Sequence, residues 1–172
     1  MINQIGRYIL SLVFIMLIQI MILNNLNIGS YINPFLYVLF IIILPVETPN
    51  WLLLIIGFFI GLIMDTFLNT PGMHASAMLF MSFIRPHYLQ LVSPREGYEP
   101  GSEPTASSFG VGWFMKYSLL LVLSHHIFLF FVEAFTFTTF FSTLLKAILS
   151  SFSTLFVILI ASMFGKQSKK RF

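Results

Sequence analysis

The stretch Trp51–Leu68, WLLLIIGFFIGLIMDTFL, is a nearly unbroken apolar run with one ionisable side chain, Asp65. A run of about 18 or more such residues is long enough to cross the hydrocarbon of a bilayer as a helix. Within it Gly57, Gly61 and Asp65 are spaced four apart and therefore share one helix face. Two glycines on that face allow another backbone to approach closely.

The rest of the chain has the same character. Of its 172 residues 58% are hydrophobic and 9% charged, with a mean hydropathy of +0.92. A water-soluble domain carries about 25% charged residues, so a free-standing soluble enzyme is excluded. Further apolar runs cover about 8–23, 28–44, 73–92, 114–133 and 143–164. The sequence therefore predicts an all-α membrane protein, a six-helix transmembrane bundle forming one domain over residues 1–172. The first run ends in Asn24-Asn25-Leu26-Asn27 without a small-residue cleavage pattern, and is expected to be a retained span. The second opens around Pro34, which suits a first helical turn, and is short enough that it enters tilted or crosses only in part. Asn69-Thr70-Pro71-Gly72 reads as a tight turn, and Arg85-Pro86 as the end or kink of the fourth span.

Residues 93–112 form the one long polar loop, with Pro94, Arg95 and Glu99 among its polar and turn-forming positions. It reads first as a connector and second as a docking segment. Trp113 and Lys116 make an edge suited to the headgroup level, and 165–172 is a basic tail holding Lys169, Lys170 and Arg171. With six spans, eight of the nine basic residues fall on the side of the two termini and only Lys146 on the other. Cytoplasmic segments carry such an excess, so both ends and the long loop are expected in the cytoplasm. This sparse charge is no nucleic-acid footprint, and the absence of Cys removes disulfides, thiolate ligands and Cys nucleophiles.

Ionisable groups inside the apolar runs are costly unless paired, and so mark the positions that matter. Asp65, His74, His125, His126, Glu133 and Lys146 are the candidates for a buried polar network. His126 and Asp65 lie at similar depth, roughly 20 Å from their helix starts, so a hydrogen bond between them is geometrically possible. Glu133 and Lys146 share a level nearer the opposite surface. Gly57, Gly61 and Asp65 read first as a packing seam with a satisfied carboxylate. Proton-coupled transport and partner binding are the lesser readings. Adjacent histidines point about 100° apart on a helix, which disfavours a metal site. No G-x-S-x-G elbow, H-E-x-x-H pair or phosphate-binding loop occurs, so neither catalytic residues nor a cofactor are expected.

The run from Gly57 to Asp65, then Gly72-Met73-His74-Ala75 and the helix closing at Arg85-Pro86, resembles the central segment of the rod shape-determining protein MreD family. The loop from Pro94 to Glu99, and Gly112-Trp113-Phe114 with His125, His126 and Glu133, are similar to one branch of it. The resemblance implies a non-enzymatic inner-membrane subunit of the bacterial elongation machinery. Its direct partner would be MreC, a single-span protein. The MreB filament, RodA and a class B penicillin-binding protein would be reached indirectly. The Gly57/Gly61 face would then pack on a helix of the same chain or accept the MreC span. The family's bundle is also similar to the substrate-binding subunits of energy-coupling-factor transporters, which supplies the alternative of a vitamin-binding membrane subunit. Such a subunit needs an outward pocket. The short connections expected there weaken that alternative.

Overall fold

The computed structural model describes residues 2–26, 29 and 31–164, with side chains from 5 to 163 within those limits. Helix α1 covers Ile2–Met21 and is followed by a 3-10 turn at Leu23–Asn25; a second 3-10 turn, Leu36–Val38, runs into the short α2, Leu39–Ile43. Then come α3 (Asn50–Leu68), α4 (Met73–Leu91), the four-residue α5 (Ala106–Phe109), α6 (Val111–Ala134) and α7 (Phe140–Phe164). The described residues contain no strand. Four segments are long and apolar enough to cross a membrane: Ile5–Asn25, Asn50–Leu68, Val111–Ala134 and Phe140–Met163. Helix α4 matches α3 in length but carries Ser82, Arg85, His87 and Gln90.

Helices α3 and α4 form a tight hairpin. Asn69 takes a left-handed conformation (φ 55°) that ends α3, with its N–H on the Asp65 carbonyl, and Gly72 supplies the second positive φ of 81°. The two glycines of α3 face α4. A Cβ at Gly61 would lie 2.5 Å from the Ala75 Cα and from the His74 carbonyl oxygen. At Gly57 the obstacle is mainly the Ser82 hydroxyl, with the Met78 carbonyl at 3.1 Å. Helix α4 packs in turn on α6, and α6 on α7.

Two expectations are corrected. The run 28–44 is not one helix. Among its described residues, 32–35 are non-helical and only Leu36–Ile43 is helical, so Pro34 lies ahead of the first turn instead of in it. The end of this non-helical backbone is nevertheless buried, at Pro34 and Phe35, with Ile32 and Asn33 half-buried. Side chains of other helices provide its partners. The Asn33 N–H donates to Ser150 Oγ (3.0 Å), the Phe35 N–H to Thr154 Oγ1 (2.9 Å) and the Leu36 N–H to Gln19 Oε1 (2.6 Å). Gln19 Nε2 donates to the Pro34 carbonyl (3.2 Å), and Ser150 Oγ to that of Tyr31 (3.1 Å). Backbone N–H and carbonyl groups buried away from water require such partners where no helix supplies them.

The second correction concerns only the reading of Arg85-Pro86 as a helix end: α4 continues through it to Leu91, as the apolar run 73–92 expects. Its last turns are held from outside. Tyr88 bonds Ser124 (2.9 Å), Leu89 is buried, and Trp113 Nε1 donates to the Val92 carbonyl (2.7 Å). Those contacts offset the N–H that Pro86 lacks.

The long loop is fastened at three points: Arg7 and Tyr8 both hold Glu103, the Val46 N–H donates to the Ser102 carbonyl (3.0 Å), and Tyr98 donates to that of Leu89 (2.6 Å). Burial pushes the Tyr98 phenol up to about 12, with Tyr117 adding to the rise and Arg85 opposing it. Arg7 therefore sits at the loop end of the bundle. So does the described end of α7, where Ser162 lines a groove shared with Thr105 and Ser107.

The glycine seam predicts an order of stability. Gly61→Ala meets backbone atoms that cannot rotate away and is expected to cost about 1–3 kcal/mol, whereas Gly57→Ala meets a hydroxyl that can turn and costs less. Thermal unfolding of the purified variants checks the order; equal losses would remove the backbone-contact explanation.

Candidate functional site

Asp65 leaves α3 one turn before its end and points across the hairpin. Its carboxylate accepts the His74 N–H (2.9 Å) and the Ala75 N–H (3.0 Å) at the start of α4, together with the Thr70 hydroxyl (2.9 Å). A carboxylate on the free N–H groups of a helix start satisfies donors and meets the positive end of the helix dipole. The hydrogen bond to His126 considered from depth alone is not formed, because both Asp65 oxygens are engaged locally.

His126 is instead locked on both ring nitrogens. Its Nδ1 lies 2.8 Å from the Val122 carbonyl, which can only accept, so Nδ1 carries the proton. Nε2 is then an acceptor for the Thr154 hydroxyl at 3.1 Å, while the same hydroxyl oxygen accepts the Phe35 N–H. This chain joins α6, α7 and the non-helical segment. His125 points elsewhere, toward Tyr37, whose phenol lies 2.9 Å from His125 Nε2 and 2.7 Å from His74 Nδ1. The two histidines thus diverge, and the described residues hold no group of three His, Cys, Asp or Glu able to bind a metal.

A second charge is fully buried at the loop end. Arg85 Nη2 donates to the Leu44 carbonyl just beyond α2, and Nε donates to Tyr117 Oη at 2.9 Å. Tyr117 in turn donates a hydrogen bond to the Ile42 carbonyl (3.2 Å). Arg85 was counted with the loop charges in the sequence, yet its exposure is 0%. Its cation caps the carbonyl end of α2, where positive charge is favoured.

At the opposite end, beside the α3–α4 turn, lies a cavity of about 350 Å³. Its wall includes Asn24, Asn33, Thr70, His74, Glu133 and Lys146. Lys146 Nζ reaches both Glu133 oxygens at 3.0 and 3.1 Å and stands 4.4 Å from the centre of the Phe130 ring. A larger and mostly apolar groove of about 670 Å³ opens between α1, α2 and α7, with Phe14, Ile18, Leu39 and Ile160 on its sides.

Of the other residues marked in the sequence, Pro94 is half-buried, Arg95, Glu99 and Lys116 are exposed, and Pro86 lies within α4. Trp113 stacks on Tyr117 with ring centres 5.2 Å apart. Lys169, Lys170 and Arg171 lie outside the described residues. Sequence reasoning missed Gln19, Tyr37, Ser150, Thr154 and Tyr117. One signal was available: Ser150 and Thr154 stand four apart on an otherwise apolar helix, a polar stripe that in lipid needs a buried partner. Comparison with family models, characterised proteins and solved structures gives no match.

Asp65→Asn keeps the shape but replaces one acceptor oxygen with an NH2 group facing a backbone donor. It is expected to destabilise the bundle by about 1–3 kcal/mol, while Asp65→Glu recovers part of the loss. A variant as stable as the wild type in thermal unfolding would contradict the capping role.

Proposed function

We propose that the chain is a non-enzymatic scaffold subunit of the bacterial cytoplasmic membrane that serves the rod-shape elongation machinery. In this reading it holds the single span of MreC and, through MreC, the MreB filament, RodA and a class B penicillin-binding protein during peptidoglycan synthesis. The partners come from the sequence resemblance. The observation that supports a scaffold is the use made of the buried charges: Asp65 accepts two amide N–H groups at the start of α4, and Arg85 donates to the carbonyl end of α2 and to Tyr117, with its Nη1 buried and without a partner among the described residues. Both charges thus serve the chain's own helices.

The reading includes six crossings with both termini in the cytoplasm. Four are the long apolar helices and α4 is the fifth. The sixth is residues 31–43. There the non-helical residues 32–35 lead into the helical Leu36–Ile43. The glycine face of α3 is occupied by α4, so the partner span must lie elsewhere. Helix α1 is the least covered of the four apolar spans and presents Leu10, Phe14, Leu17 and Met21 outward beside the apolar groove. We assign the MreC span to that edge.

Affinity purification of the chain from native membranes tests the proposal. A single-span MreC-like protein is the expected companion, and Leu10→Trp with Leu17→Trp should reduce its recovery without lowering expression. Recovery of a transporter ATPase pair in its place would overturn the scaffold reading in favour of the vitamin-binding alternative.

A further inference from the structure

We propose that the cavity beside the α3–α4 turn binds a small amphoteric solute, one that carries both a carboxylate and an ammonium group. The proposal stands apart from the scaffold reading, because it uses only the wall of this cavity.

The first argument is the proton order of Tyr37 and its two imidazoles. A phenol has one proton, so Tyr37 donates to one of the neighbouring ring nitrogens and accepts from the other. The remaining nitrogen of His125, Nδ1, is buried without a partner among the described residues. A stranded N–H is the rarer and costlier of the two ways to leave it, so His125 carries its proton on Nε2 and donates to Tyr37. Tyr37 then donates to His74 Nδ1, and the His74 proton resides on Nε2. His74 is only 3% exposed, it lines the cavity, and its Nε2 has no partner among the described residues. A fixed N–H donor therefore belongs to a wall residue and has no acceptor among the described residues.

The second argument is the pair of opposite charges in the same wall. Glu133 and Lys146 sit side by side, and neither sign is in excess. A simple anion would leave Glu133 without its cation, and a simple cation would leave Lys146 without its anion. A molecule with both charges replaces the internal pair with two intermolecular ones, its carboxylate on Lys146 and His74 and its ammonium on Glu133. Neutral partners remain as well. Asn24 accepts from Gln19 through its oxygen and has no acceptor for its NH2 group among the described residues, and Thr70 donates to Asp65 and keeps acceptor capacity. A volume of about 350 Å³ leaves room for a small solute. It falls at the small end of ligand sites.

Thermal unfolding of the purified, full-length protein in nanodiscs provides the test, with each proteinogenic L-amino acid added singly. Acetate and ethylammonium serve as single-charge controls. At least one amino acid should raise the Tm saturably while neither control does so at the same concentration. Lys146→Met and Glu133→Gln should each weaken that binding by about tenfold or more. Their ligand-free Tm should stay close to the wild type, since a partly exposed ion pair contributes little. The proposal is overturned if no amino acid raises the Tm, if acetate alone does so equally, or if the effect survives unchanged in Lys146→Met.

Discussion

A peptide group inside a bilayer has no water to bond, and this constraint governs the structure. Helices satisfy it within themselves, but residues 32–35 do not form a helix. The Asn33 and Phe35 amides, the Pro34 carbonyl and the adjoining Leu36 amide are taken up by Gln19 of α1 and by Ser150 and Thr154 of α7. The three side chains thereby tie the first and last long helices to the middle of the bundle. All three are fully buried. Each would be an expensive guest in an apolar core without its backbone partner.

The ionisable residues follow the same logic. Asp65 satisfies the start of α4 and Arg85 the end of α2, each placing its charge against the opposite end of a helix dipole. His126 hands Thr154 to the Phe35 amide in the orientation that amide needs. Close approach at Gly61 makes the first of these arrangements possible, since it brings the two helix backbones within reach of a short carboxylate. Packing and polar satisfaction are thus one arrangement at the α3–α4 hairpin. In the cavity next to it His74 is secured on one nitrogen alone among the described residues, and Ser82 in the seam and Arg85 Nη1 are likewise without a partner among them.

Much of the helical frame was legible because its signals are local. Apolar runs of spanning length marked α1, α3, α6 and α7, and Asn69 to Gly72 marked the turn between α3 and α4. The segment before α2 was not legible. Two of its bonding partners lie more than a hundred residues away on α7 and the third, Gln19, on α1, and nothing within 28–44 distinguishes a non-helical apolar stretch from a helical one. Arg85-Pro86 misled because proline is a local breaker, whereas contacts through Tyr88, Leu89 and Val92 hold the helix beyond it. For the cavity, sequence picked out His74, Glu133 and Lys146 by charge type in apolar surroundings. It could not gather Asn24, Asn33 and Thr70 around them, because those residues belong to three separate turns.

The dependence of the bundle on side-chain partners for its non-helical segment can be measured directly by amide hydrogen exchange in nanodiscs. The Phe35 and Leu36 amides should exchange as slowly as those in the middle of α3, and Thr154→Val should release Phe35 selectively while Thr154→Ser does not. Rapid exchange at both amides in the wild-type protein, at the rate of an open loop, would contradict the account.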